Sequence, residues 1–144
     1  MRSGGKIMKK IILSGLLAGV VMLVVGMVVG ILFGAVFPAL KAEYENTSLF
    51  RPWSDPIMSI FFVAPFILGI ILAWIWTKTK GLFHAEKNWK KGLNFGLVYW
   101  VVTIPGMIIS YSSFPISLLV VLSWSITILV QALCAGLIYA KLNK

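Results

Sequence analysis

None of the thirteen basic and four acidic residues of this chain falls within its four long apolar stretches, which run from Ile11 to Leu40, Pro56 to Trp76, Gly92 to Ser110 and Ser117 to Ala140. A helix rises about 1.5 Å per residue, so about 20 apolar residues cross a hydrocarbon core of about 30 Å. Each stretch reaches or nearly reaches that length. The expected fold is an all-α integral membrane protein of four transmembrane helices, packed as a compact left-handed bundle. With 144 residues and 60% hydrophobic composition, no separate soluble domain fits, and residues 1–144 form a single membrane domain. An external loop, 41–55, and a cytoplasmic loop, 77–91, join the spans.

The first stretch also follows a basic start, Arg2, Lys6, Lys9 and Lys10, as a signal peptide would. A signal-peptide core has about 7 to 15 apolar residues. This run is about twice as long and has no small-x-small cleavage site before Pro38, so a retained span is expected.

Lys and Arg number four before the first span, five in the loop 77–91 and two in the tail (Lys141 and Lys144). On the other side there are two, Lys41 and Arg51, and none in the last loop. The asymmetry places both termini in the cytoplasm and the protein in a cytoplasmic-type cell membrane. It also accounts for the net charge of +9 without nucleic acid as a partner, because the basic groups hug span ends where anionic headgroups lie. Trp53, Trp74, Trp76 and Trp89 fall near the expected interfaces, as an aromatic belt does.

Charge within a membrane span is costly and usually serves proton relays, ion sites or voltage sensing; these spans carry none. His84, the one histidine, lies in the loop 77–91, and Cys134, the one cysteine, lies toward the end of the fourth span. A bis-histidine haem, an intramolecular disulfide and a metal-ligand cluster are all ruled out within one chain. The sequence points to no enzyme, no cofactor and no metal.

The weakly polar residues inside the spans are ordered by face. In the third span Gly92, Gly96, Tyr99, Thr103, Gly106, Ser110 and Ser113 recur at alternating steps of four and three, which holds them on one stripe. In the fourth, Ser123, Thr127 and Gln131 follow at steps of four, and Cys134 continues the line. Gly15, Gly19, Gly26, Gly30 and Gly34 share an arc of about 100° on the first span. Glycine faces allow helix backbones to approach closely in lipid. Tyr99, Thr103, Ser110, Thr127 and Gln131 are thus an internal polar stripe, either a packing face or the lining of a conduit. Pro65 and Pro105 interrupt two spans, where kinks are expected. Setting Lys9 against Lys90 aligns Gly15-Leu16 with Gly96-Leu97 and Val20-Val21 with Val101-Val102, a faint sign of two hairpin repeats.

The loop 41–55 holds three of the four acidic residues plus three aromatics. Ser54 or Asp55 can cap the second span ahead of Pro56, and Arg51 can pair with Asp55, Glu43 or Glu45. Either the loop closes on itself as a cap over the bundle, or Glu43, Glu45, Arg51, Trp53 and Asp55, with Tyr111 of the other external hairpin, form an external contact or ligand-binding surface. Asn46-Thr47-Ser48 fits the glycosylation acceptor pattern, a triplet frequent by chance. The expected function is non-enzymatic, through helix packing or through partner or ligand contact at the external loop. Its partners would be the lipid bilayer and either a second copy or another membrane protein. The alternative is a small carrier, or an oligomeric channel, for a neutral, cationic or lipid-like molecule along the third and fourth spans.

Overall fold

Within hydrocarbon no water can satisfy the backbone, so each crossing segment must close its own hydrogen bonds, and this chain does so with helices alone. A computed structural model describes residues 2–143, with side chains from Gly4 to Asn143. The Arg2 side chain and Lys144, both counted in the charge asymmetry, lie outside this description. The helices are α1 (Arg2–Val36), α2 (Pro38–Tyr44), α3 (Ile60–Thr79), α4 (Asn88–Ser113) and α5 (Leu118–Leu142), with 3-10 turns at Pro56–Ser59 and Lys80–Leu82. No strand occurs among the described residues.

Four segments, Gly4–Val36, Pro56–Leu82, Asn88–Ser113 and Leu118–Leu142, are long and apolar enough to cross a membrane. In each, fewer than a third of the residues of the most apolar window are buried by the protein itself. Leu13, Ile31, Ile60, Val102 and Ile108 are each more than 60% exposed. So extensive an apolar surface suits lipid and not water, and the chain is a membrane protein.

The first apolar stretch is not one helix to Leu40, as its hydropathy alone suggests. Pro38 has no N–H to donate and biases the residue before it away from helical geometry. Phe37 accordingly leaves the helix at φ −122°, ψ 86°. Pro38 then starts α2, which turns aside and buries Leu40 against Ile116, Val120 and Val121. Pro65 and Pro105, by contrast, are carried inside α3 and α4.

The long helices pack in the order α3, α1, α5, α4, with α1 between α3 and α5. Lipid tails are as apolar as leucine, so close van der Waals approach, rather than escape from water, holds such helices together. Two glycine crossings provide it. A methyl group on Gly15 would sit 2.5 Å from the Ile70 Cα, one on Gly19 would sit 2.8 Å from the Phe66 Cα, and one on Gly69 would strike the Gly15 carbonyl oxygen. Between α4 and α5, Gly92 and Gly136 meet in the same manner, and a methyl group on Gly96 would lie 2.6 Å from the Ala132 carbonyl oxygen. Each hairpin is thus locked by two glycines four apart on its first helix and one on its second. Gly15 and Gly19 stand where Gly92 and Gly96 do, which displaces the alignment of Lys9 with Lys90 by one helical turn.

Asn143 Nδ2 donates to Ser14 Oγ at 3.1 Å, so the start of α1 and the end of α5 lie at one end of the bundle. This is the basic end. There Ser14 Oγ donates to the Lys10 carbonyl at 2.6 Å, while Trp76 Nε1 and Lys80 Nζ both donate to the Asn143 carbonyl at 3.1 Å. Trp76 is therefore no member of an interfacial belt. It is 2% exposed and packs on Phe83 and Phe95, and this aromatic cluster, rather than a backbone crossing, joins α3 to α4.

Candidate functional site

The end opposite the basic one carries α2 and the loop 41–55. Leu40 anchors α2 from below, 1% exposed. One turn on, Glu43 Oε1 accepts from the backbone N–H of Ser117 at 2.6 Å. Ser117 in turn caps α5 by accepting from the Val120 N–H, so Glu43 places a carboxylate at the positive end of that helix. The Tyr44 hydroxyl lies 3.4 Å from Ser123 Oγ, its ring packs on Phe50, and Phe50 meets Trp124 edge to face. These contacts hold the loop down on α5.

Its remaining charges are paired locally. Arg51 donates to Asp55 Oδ2 at 2.8 Å, and Asp55 Oδ1 accepts from the Ile57 N–H at 2.9 Å, capping the turn that opens with Pro56. The Ile57 N–H and the Arg51 guanidinium hold the Asp55 carboxyl below the usual carboxylate range. Asn46 Oδ1 accepts from both the N–H and the hydroxyl of Ser48. Lys41 and Glu45 approach at 3.9 Å, both well exposed, a spacing worth little in water. Trp53 is 67% exposed and leans on Phe61 and Phe62. The candidate residues thus divide: Glu43 and Asp55 hold the loop's shape, while Glu45, Arg51 and Trp53 face outward. Tyr111, half exposed near the far end of α4, forms no hydrogen bond with them.

The internal stripe also divides. Thr103 donates to the Trp100 carbonyl, Ser110 to that of Gly106 and Thr127 to that of Ser123, each within its own helix. Such back-bonding satisfies a hydroxyl without a partner. Tyr99 packs against the core formed around Trp76, Phe95 and Tyr139. Gly106, placed on the same stripe, has nothing within 4 Å of where a Cβ would stand; the stripe is a packing face only toward the basic end.

Gln131 alone crosses between helices: its Nε2 donates to the Met22 carbonyl at 2.7 Å, over Gly26, whose missing side chain makes room for the amide. Its Oε1 has no partner and is not sealed off. Gln131 lines a cavity of about 270 Å³ with Met22, Phe61, Ala64, Pro65 and Leu68. Pro65, on its wall, offers no N–H to the carbonyl of Phe61. Tyr99, Thr103, Ser110 and Thr127 do not line it.

Some structural roles carry no local sequence signal. Tyr139, fully buried, donates to the Gly69 carbonyl at 2.8 Å and ties α5 to α3; Ser14, Asn143 and Trp76 form a second interhelical network, and Trp100 Nε1 of α4 donates to the Ser125 carbonyl of α5 at 3.0 Å. Among the described residues, no three His, Cys, Asp or Glu side chains come together. Cys134 is free and partly buried, and His84 is exposed. Comparison with protein-family models, curated proteins and solved structures yields no match.

Proposed function

We propose that this is a non-enzymatic membrane protein that acts by contact, with the folded loop 41–55 as its contact surface. The observation that carries this reading is the anchoring of α2, by buried Leu40 below and by Glu43 on the Ser117 N–H. Held so, Glu45, Arg51 and Trp53 keep fixed positions, which lowers the ordering cost of binding a partner. The partner is a second copy or another membrane protein, and nucleic acid is none. The small and weakly polar helix faces favour a left-handed bundle, and the charge asymmetry favours a cytoplasmic-type membrane with the basic end and both termini inside. The loop then faces outward. Alanine at Glu45 or Trp53 tests this: the reading requires native thermal stability together with loss of the bound partner.

The 270 Å³ cavity under Gln131 favours a second reading, a small carrier for a neutral or lipid-like molecule. Against it, Gln131 is the one polar side chain among the residues that line the cavity.

A further inference from the structure

Two straight helices that touch closely at one point must diverge on either side of it. In the pair α1 and α3 that point is fixed by Gly15, Gly19 and Gly69. Toward the basic end the divergence opens a groove of about 380 Å³. Its walls are Ile7, Met8 and Ile11 on α1 and Trp74 and Thr77 on α3, with Lys78 at the rim. Ile11 is the first residue of the apolar stretch of α1, and Lys78 lies one turn past Trp74, so the groove straddles the level where hydrocarbon gives way to headgroups. Gly4 leaves the rim open, with nothing within 4 Å of where a Cβ would stand. Thr77 has its hydroxyl on the Ala73 carbonyl at 2.9 Å, and so brings no unsatisfied hydroxyl to the groove.

We propose that this groove binds one anionic phospholipid, with an acyl chain against Ile7, Met8, Ile11 and Trp74 and the phosphate at Lys78. Charge selects the occupant. Among the described residues Lys78 forms no salt bridge with an acidic side chain, and Lys6, Lys9 and Lys10 stand on the neighbouring turns of α1. At this end the one acidic residue is Glu86, on the loop beyond the 3-10 turn. An apolar slot with a cation at its mouth matches a lipid that carries a net negative phosphate next to its chains, and a zwitterionic head would bring its own cation to Lys78. This site is independent of the external loop and stands or falls without it.

The test is native mass spectrometry of the full chain in mild detergent with equal amounts of phosphatidylglycerol and phosphatidylcholine. One lysine beside an anionic headgroup corresponds to a preference of about fivefold. The wild type is expected to retain phosphatidylglycerol by about that margin, and Lys78→Gln to lose it. Met8→Trp, which fills the groove and leaves every lysine in place, is expected to reduce binding of both lipids. Lys90→Gln, on an exposed residue of α4, is expected to change nothing, and inorganic phosphate is expected not to displace the lipid. Thermal unfolding of each variant shows that it is folded. Equal retention of the two lipids, an equal loss in Lys90→Gln, an unaffected Met8→Trp or displacement by phosphate would each overturn the site.

Discussion

Gly92 and Gly136 meet backbone to backbone: a methyl group on either would fall on the carbonyl oxygen of the other. The two helices of the second hairpin can come this close only because neither residue has a side chain, and the first hairpin repeats the arrangement with Gly15, Gly19 and Gly69. Gly136→Ala must therefore push α4 from α5, and strain of this kind costs about 1–3 kcal/mol. Gly106→Ala, on the same helix as Gly92 but facing open space, should be neutral or should gain up to about 1 kcal/mol of helix propensity. Thermal unfolding in mild detergent, followed by tryptophan fluorescence, separates the two.

Gln131→Leu removes the one side-chain bond between α5 and α1 at that depth. The Met22 carbonyl keeps its helical partner, so nothing is left unsatisfied, and the expected loss is about 0.6–2 kcal/mol. Cysteines at Thr103 and Thr127 should resist aqueous thiol reagents, since those hydroxyls serve their own helices. Rapid labelling at both would instead favour a conduit along α4 and α5.

These features were unequally visible in the sequence. Charge exclusion marks the four spans, because an ion in hydrocarbon is costly wherever it lies along the chain. The end of α1 is harder to place, since Val36 to Leu40 is as apolar as the residues before it and Pro38 alone marks the break. Glycine spacing foretells close crossings but not which glycine meets which helix: Gly15 and Gly19 meet α3, Gly26 makes room for Gln131, and Gly30 and Gly34 meet nothing. Trp76 looks like an interfacial residue by position, yet it donates to the backbone of Asn143, 67 residues away. Glu43 and Ser117 are farther apart still. Periodicity reports one helix face at a time, and these bonds depend on how two faces meet.

Asp55 predicts a pH dependence of definite sign. Its folded-state pKa lies below the ordinary 3.8, so its stabilising effect is complete above the ordinary value and is lost as pH falls through the folded one. The stability difference between wild type and Asp55→Ala should be constant from pH 7 to about pH 5 and shrink on further acidification. Asp55→Asn should lose less than Asp55→Ala at neutral pH, because an amide oxygen can still accept from the Ile57 N–H. Paired thermal melts across that range check both statements.

Glu43 and Glu45, two residues apart, should respond in opposite ways. Glu43→Ala deprives the Ser117 N–H of its acceptor and should cost about 0.5–2 kcal/mol, the usual worth of a helix cap. Glu45→Ala removes only an exposed 3.9 Å pair and should stay within about 0.5 kcal/mol. Chemical unfolding of the two variants side by side measures the contrast.

The most direct test of the contact surface is site-specific photocrosslinking in native membranes, with a photoreactive residue placed in turn at Glu45, Arg51 and Trp53 and, for comparison, at Gly30 and Gly34 on the uncovered face of α1. A contact surface at the loop predicts discrete protein adducts from the three loop positions and only lipid adducts from the two glycines. Protein adducts from Gly30 and Gly34, with none from the loop, would contradict it and move the contact to the helix face within the bilayer.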